Sequence, residues 1–166
     1  MKHKGFSLIE LLIVVTITLV IFSFGIASFN QFNKRERLRQ AGLTLKSSLR
    51  YAQSKALSAD KPNSNEECSP SSDPCCTTYQ GVQVSFTASG YSTRHACTPE
   101  GPVGPSTTIT FPTGIVFTAV PSTFTFLSTN TLDRTTDQTI TLTNGTLSYV
   151  VEILSNGVIN DQGMSQ

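Results

Sequence analysis

Residues that commonly catalyse reactions are scarce in this sequence. It holds two histidines, one of which, His3, lies in a short basic segment at the start. It contains no G-x-S-x-G sequence, no P-loop and no H-E-x-x-H motif. The acidic residues of the C-terminal part fall in predicted loops and at strand ends, where they are expected to be solvated. The sequence therefore predicts a protein that is not an enzyme and that needs no cofactor.

Charge is absent from one long stretch, and proline from a longer one. Nineteen residues, Leu11 to Phe29, carry no charge, and fourteen of them are apolar. That is long enough to cross a bilayer as a helix. No A-x-A-like cleavage site follows, so this segment is expected to stay in the mature protein. Because no proline interrupts residues 6–61, we expect one long helix there, with residues 6–29 transmembrane.

The second half of this helix, residues 30–61, is predicted to be amphipathic. Its apolar residues recur every three or four positions, at Leu38, Ala41, Leu45, Leu49, Ala52 and Ala56. This spacing forms one stripe, which we expect to lie against a sheet. The helix should end before Pro62, because the residue before a proline is pushed out of the helical region. Gly25 and Gly42 are its expected weak points.

The residues before the apolar run carry the most specific motif. Lys2, His3 and Lys4 precede Gly5, and the sequence Phe6-Ser7-Leu8-Ile9-Glu10 follows. This segment resembles the class III signal of type IV prepilins and pseudopilins. The resemblance implies that residues 1–5 are a leader, cut after Gly5 by prepilin peptidase on the cytoplasmic side. It also implies N-methylation of Phe6 and retention of the helix as a polymerisation stem.

Glu10 is an acid at the start of the apolar run. A buried acid costs up to ~3 kcal/mol at the bilayer centre, whereas each large apolar residue returns roughly 0.3 to 0.6 kcal/mol. Thirteen Leu, Ile, Val and Phe residues follow, so insertion is still favoured. The resemblance implies that Glu10 of an incoming subunit pairs with the Phe6 amine of its neighbour during assembly. The alternative is a Glu that reaches to the lipid headgroups.

The near-neutral total charge conceals two oppositely charged parts. Residues 30–61 contain eight basic and two acidic residues, whereas residues 62–166 contain two basic and eight acidic ones. An acidic head is not expected to bind nucleic acid, because DNA affinity depends on Lys and Arg. The basic stem could meet acidic heads of neighbouring subunits, meet phospholipid headgroups, or form a solvated helix face.

Four cysteines, Cys68, Cys75, Cys76 and Cys97, lie in the predicted head. We expect two disulfides that tie the loop to the Cys97 segment, and a bridge between the adjacent Cys75 and Cys76 fits disulfide geometry poorly. A zinc site with His95 is the rival interpretation. The cysteine spacing lacks paired C-x2-C units, so no metal site is expected. Disulfides place the head in an oxidising compartment.

The remaining sequence predicts an antiparallel β-rich head over residues 62–166, and with the long helix an α+β protein. Strands are expected over residues 81–88, 91–96, 107–111, 114–118, 123–127, 138–143, 147–154 and 157–159, with a Pro/Gly linker at Gly101 to Pro105. Asn144-Gly145 predicts a hairpin with a type I′ turn.

Two short segments of the head, Phe111-Pro112-Thr113-Gly114 and Ser155-Asn156-Gly157, are similar to the GspH/FimT group of minor pilins and pseudopilins. DNA-binding members of that group extend the last turn into a Gly-Arg-x-Arg loop. Here Gly157 is followed by Val158-Ile159-Asn160, which argues against DNA binding.

These resemblances imply a structural subunit, a minor pilin or pseudopilin of a type IV pilus or type II secretion pseudopilus. Its partners would be other pilins or pseudopilins, prepilin peptidase and the inner-membrane assembly platform. It would lie in the inner membrane as a single-pass protein with a periplasmic or extracellular head, or in an extracellular pilus. The alternatives are a DNA-binding minor pilin for DNA uptake and a single-pass, membrane-anchored binding domain.

Overall fold

One helix and eight strands make up the described part of the chain. The computed structural model describes residues 7–59, 78–98 and 101–165, without the side chains of residues 24–28. Helix α1 spans Leu8–Leu57. The strands are β1 (Thr78–Thr87), β2 (Gly90–Thr98), β3 (Gly101–Thr110), β4 (Val116–Phe117), β5 (Phe124–Leu127), β6 (Gln138–Thr143), β7 (Ser148–Ile153) and β8 (Ile159–Ser165).

The strands form two four-stranded sheets. The first has the order β3-β2-β1-β5 and the second the order β4-β6-β7-β8. Every pairing between neighbouring strands is antiparallel. The predicted α+β class and the antiparallel head are therefore confirmed.

The chain divides into two compact units, residues 1–36 and 37–166, and α1 contributes residues to both. Within the described residues, no helix combines the length and the apolarity needed to cross a membrane. The transmembrane prediction for residues 6–29 is therefore not confirmed; Phe6 and the side chains of residues 24–28 lie outside the described part. The predicted boundary between residues 61 and 62 also lies outside it.

The predicted apolar stripe of α1 lies in the core of the second unit. Leu38, Leu45 and Leu49 have no exposed surface, and the three alanines of the stripe are buried with them. Both sheets supply side chains to the same core, including Val84, Phe124 and Phe126 from the first sheet and Ile140, Leu142, Val151 and Ile153 from the second. The stripe is confirmed.

Gly42 allows α1 to approach the second sheet closely. A Cβ atom at Gly42 would lie 2.3 Å from the ring of Tyr149, which is too close for any side chain. A glycine inside a helix costs stability relative to alanine, by roughly 1 kcal/mol. Here the missing side chain makes room for an aromatic ring, so Gly42 is a packing residue rather than only a weak point.

The end of α1 differs from the predicted one. The helix ends at Leu57, and Ser58 and Ala59 form a turn in which Ala59 has φ 47°. A left-handed residue is a common way to end a helix. The chain therefore leaves the helix before Lys61, the predicted last residue, which lies outside the described part.

The Pro/Gly segment Gly101 to Pro105 is part of strand β3, so the linker prediction was wrong. Strand β3 lies at the edge of its sheet, where β2 is its one partner among the described strands. A proline without an N–H group is tolerated on such an edge, because one side of the strand needs no partner.

The connection between β6 and β7 is a hairpin, as predicted, but the two-residue type I′ turn was wrong. Thr143 pairs with Ser148, which leaves four residues in the loop. Gly145 has a positive φ of 89°, whereas the φ of Asn144 is not positive. A type I′ turn needs positive φ at both central residues. The Asn144 side chain instead accepts hydrogen bonds from the backbone of Thr146 and Leu147.

The last strand is longer than the short one predicted at residues 157–159. Strand β8 continues to Ser165 and pairs with β7 along its length, with a register shift between Val150 and Val151. The segment Asn160-Asp161-Gln162-Gly163 has low β propensity, so its extended form depends on pairing with β7.

We predict that Leu45→Ala lowers the free energy of unfolding of the head by about 2 to 5 kcal/mol, because it leaves a cavity in a closed core. Leu43→Ala on the same helix is the matched control, because Leu43 is 43% exposed and Leu45 is 0% exposed. Urea unfolding of the full chain in detergent, followed by tyrosine fluorescence, measures both. Equal effects of the two substitutions would contradict this view of the core.

Candidate functional site

The first turn of α1 is built around Ser7 and Glu10. The Ser7 carbonyl oxygen accepts hydrogen bonds from the backbone N–H groups of Glu10, at 3.1 Å, and Leu11, at 3.2 Å. The spacing Ser7-x-x-Glu10 is that of a capping box, a signal that was present in the sequence and that the sequence analysis missed. Glu10 is exposed and lies in the first turn, where the positive end of the helix dipole favours a carboxylate. Gly5 and Phe6 lie outside the described residues.

The helix surface after Glu10 is apolar on every side. Twelve large apolar side chains between Leu8 and Phe22 are exposed, from 47% at Val15 to 89% at Leu8. Five of them are consecutive, Leu11 to Val15, so they point all around the helix. A helix that is apolar all round needs apolar surroundings on all its faces.

The hydroxyl groups within this apolar stretch are satisfied by the helix itself. Thr16 donates to the carbonyl oxygen of Ile13 at 2.8 Å, Thr18 to that of Val14 at 2.6 Å, and Ser23 to that of Leu19 at 2.9 Å. A hydroxyl bonded in this way requires no water. The stretch therefore suits an environment without hydrogen-bonding partners.

The first residues of the chain match a known family. The family model described as the prokaryotic N-terminal methylation motif matches residues 1–26. This match covers the segment that resembles the class III signal of type IV prepilins and pseudopilins. The match includes Gly5, Phe6 and Glu10, the three residues that the sequence analysis selected. No curated protein and no solved structure was found to match the chain.

The signal covers 26 residues of 166, so the chemistry of the head has to be derived from its own contacts. Asp161, on β8, is a polar group that joins separate elements of the head. Its carboxylate accepts hydrogen bonds from the Lys46 ammonium at 2.9 Å, the Tyr149 hydroxyl at 2.7 Å and the Gly163 N–H at 2.9 Å. Sequence analysis missed this group because its members are far apart in the sequence.

The titration of these groups follows from their contacts. Burial opposes ionisation of Asp161, but the hydrogen bonds from Tyr149, Lys46 and Gly163 outweigh it, and together they lower the pKa of the carboxyl group. Burial, followed by the hydrogen bond to Asp161 and its negative charge, raises the pKa of Tyr149 to about 12. At neutral pH the group is therefore a carboxylate held by an ammonium and a neutral phenol.

An open pocket of about 330 Å³ lies beside this group, lined by Arg39, Leu43, Tyr149, Asp161, Gln162, Gly163 and Met164. The polar atoms of Asp161 are occupied by partners from the same chain. The arrangement therefore fixes α1 to the second sheet.

The cysteine region is only partly described. Cys97 is buried and disulfide-bonded. Cys68, Cys75 and Cys76 lie outside the described residues, so the pairing stays a prediction. His95 is half-buried, and its ring centroid lies 6.0 Å from that of Tyr79. Among the described residues, no group of three His, Cys, Asp or Glu side chains is placed to hold a metal ion.

The final turn of the head is tied to α1. Gln53 donates through Nε2 to the carbonyl oxygen of Gly157 at 2.8 Å and to Oδ1 of Asn130 at 2.9 Å. Gly157 has φ 85°, and a Cβ atom there would lie 2.3 Å from the Asn130 carbonyl oxygen. Glycine is therefore required at this turn by its packing as well as by its backbone conformation.

We predict that Asp161→Asn lowers the free energy of unfolding by about 1 kcal/mol at neutral pH, because it removes the charge that Lys46 pairs with at a partly open site. The stability from a lowered carboxyl pKa is present above the pKa of the unfolded chain and is lost as pH falls. The difference from the wild type should therefore shrink below about pH 4. Urea unfolding across this pH range measures it, with Asp133→Asn as the control. A difference that does not change with pH would contradict the assignment.

Proposed function

We propose that the chain is a minor pilin or pseudopilin, assembled through its N-terminal helix into a type IV pilus or a type II secretion pseudopilus. The observation that carries the proposal is the coincidence of two features. The N-terminal methylation motif matches residues 1–26, and within this match the helix from Leu8 to Phe22 has apolar side chains exposed on every side.

The exposed helix surface supports assembly on energetic grounds. Each Å² of apolar surface in water costs roughly 25 cal/mol, so a helix exposed all around is unfavourable in water at any stage. We infer that lipid of the inner membrane covers it first, and that helices of other pilins or pseudopilins cover it after extraction. Prepilin peptidase, which would cut after Gly5, and the inner-membrane assembly platform are the further partners in this proposal.

Glu10 provides the specific polar contact in this proposal. After cleavage behind Gly5, the new amine on Phe6 would lie four residues before Glu10 in the sequence, with no other charge between them. Pairing across subunits satisfies both in surroundings where an unpaired charge is costly. The exposed position of Glu10 in the first turn supports a contact with another molecule.

The head is placed outside the cytoplasm in this proposal, in the periplasm or on an extracellular pilus. The disulfide of Cys97 supports this location, because disulfides persist in oxidising compartments. DNA binding is not favoured, since the turn after Gly157 continues with Val158, Ile159 and Asn160, none of which is basic.

Mass spectrometry of the N-terminal peptide tests the function directly. Native protein is taken separately from sheared filaments and from washed cell envelopes. N-methylated Phe6 in filaments identifies a pilus subunit, and processed Phe6 confined to the envelope identifies a pseudopilin. An intact Met1 would contradict both and would favour a membrane-anchored binding domain.

We predict that Glu10→Ala inserts into the membrane and is processed, but enters filaments poorly, because the Phe6 amine loses its partner. Glu10→Gln should assemble equally poorly if charge is the requirement. Glu36→Ala removes an acid from the same helix beyond the apolar stretch and should assemble normally. Immunoblots of sheared and envelope fractions measure incorporation. Normal incorporation of Glu10→Ala would count against this role.

A further inference from the structure

Two Asn-Gly pairs occur in the described head, and they differ in their surroundings. Asn144-Gly145 lies in the loop between β6 and β7, and Asn156-Gly157 lies in the loop between β7 and β8. In an Asn-Gly pair, the glycine has no Cβ to block the attack of its backbone nitrogen on the side-chain amide carbon of the asparagine. The two pairs form an internal comparison within one chain.

The side-chain amide of Asn144 is strongly polarised. Its Oδ1 atom accepts hydrogen bonds from the Thr146 N–H at 3.1 Å, the Thr146 hydroxyl at 3.0 Å and the Leu147 N–H at 2.9 Å. Three donors around one carbonyl oxygen stabilise the negative charge that develops there when a nucleophile adds to the carbon. Within the described residues, Oδ1 of Asn156 accepts one hydrogen bond, from the Val158 N–H at 3.0 Å.

The attacking nitrogens differ as well. Gly145 is exposed, and its N–H donates to the Thr143 hydroxyl at 3.0 Å. Gly157 is buried, and its N–H donates to the backbone carbonyl of Leu154 at 2.8 Å. Gly145 is the more accessible of the two glycines, and water must take the proton from the nitrogen. The buried backbone hydrogen bond holds the second nitrogen in place and protects it.

We propose that Asn144 is a self-modification site, which deamidates in the folded head by reaction with the backbone of Gly145. The Gly145 nitrogen forms a bond to Cγ of Asn144 and loses its proton to water, and Nδ2 leaves as ammonia. The resulting succinimide adds one water molecule and opens to aspartate or isoaspartate. The net reaction consumes one water and releases one ammonia, and the tip of the hairpin gains one negative charge.

The test compares both sites in the purified full-length chain in detergent. The chain is incubated at mildly alkaline pH, with and without urea, and peptides are analysed by mass spectrometry at intervals. In the native chain, Asn144 should deamidate at least about tenfold faster than Asn156. In urea the two rates should converge, because both sites are then simple Asn-Gly pairs. Native rates that are equal, or a faster rate at Asn156, would overturn the proposal.

Thr146→Val tests whether the hydrogen bonds to Asn144 Oδ1, and not only the exposure of the loop, speed up deamidation. It removes one of the three donors to Asn144 and keeps the shape of the side chain. Deamidation of Asn144 should slow about fivefold, the value of one hydrogen bond, while Asn156 serves as the unchanged reference. An unchanged Asn144 rate would overturn the role assigned to the three donors. Circular dichroism verifies that the variant is folded.

Discussion

The burial of one face of α1 is the constraint on which the head depends. Each sheet has four strands, and a small sheet needs a second apolar layer to be stable. The stripe from Leu38 to Ala56 supplies side chains to the one core that both sheets share. Removing this stripe would expose the inner faces of two sheets together, so the head and the second half of the helix form one folding unit.

Apolar packing alone does not fix the position of a helix along its axis, because it is not directional. Polar contacts spaced along α1 supply that register. Lys46 binds Asp161 and Gln53 binds the Gly157 turn, both in the second half of the head. Tyr79 of β1 donates to the carbonyl oxygen of Lys55 at 3.2 Å, so the first sheet is attached as well. Together with the close packing of Gly42 against Tyr149, these contacts fix the position of α1 along its axis.

The features that sequence analysis predicted are those specified by neighbouring residues. The apolar stripe follows from spacing within one helix, and the Gly5-Phe6-Glu10 motif lies within six residues. The capping box at Ser7 was a local signal that was missed, whereas most of the other features that were not predicted depend on distant partners. Lys46 and Asp161 are 115 residues apart, and nothing near either residue indicates the pair. Strand β8 has poor local propensity and forms because β7 lies beside it. Likewise, Gly101 to Pro105 can form a strand only because β3 is an edge, and edge position is a property of the whole sheet.

The two parts of α1 differ in whether the chain itself covers their apolar side chains. From Leu38 onward the apolar residues of the stripe are covered by the chain itself, whereas from Leu8 to Phe22 they are exposed. The exposed part therefore has to be covered by other molecules. Glu10 is the one charged residue between Ser7 and Asn33, and the other exposed side chains from Leu8 to Phe22 are mostly apolar, so their packing is not directional. Since charges interact more strongly in apolar surroundings, we propose that this single carboxylate selects one register among many that pack equally well. On that proposal, a helix with so little chemical variety can still assemble in a defined way.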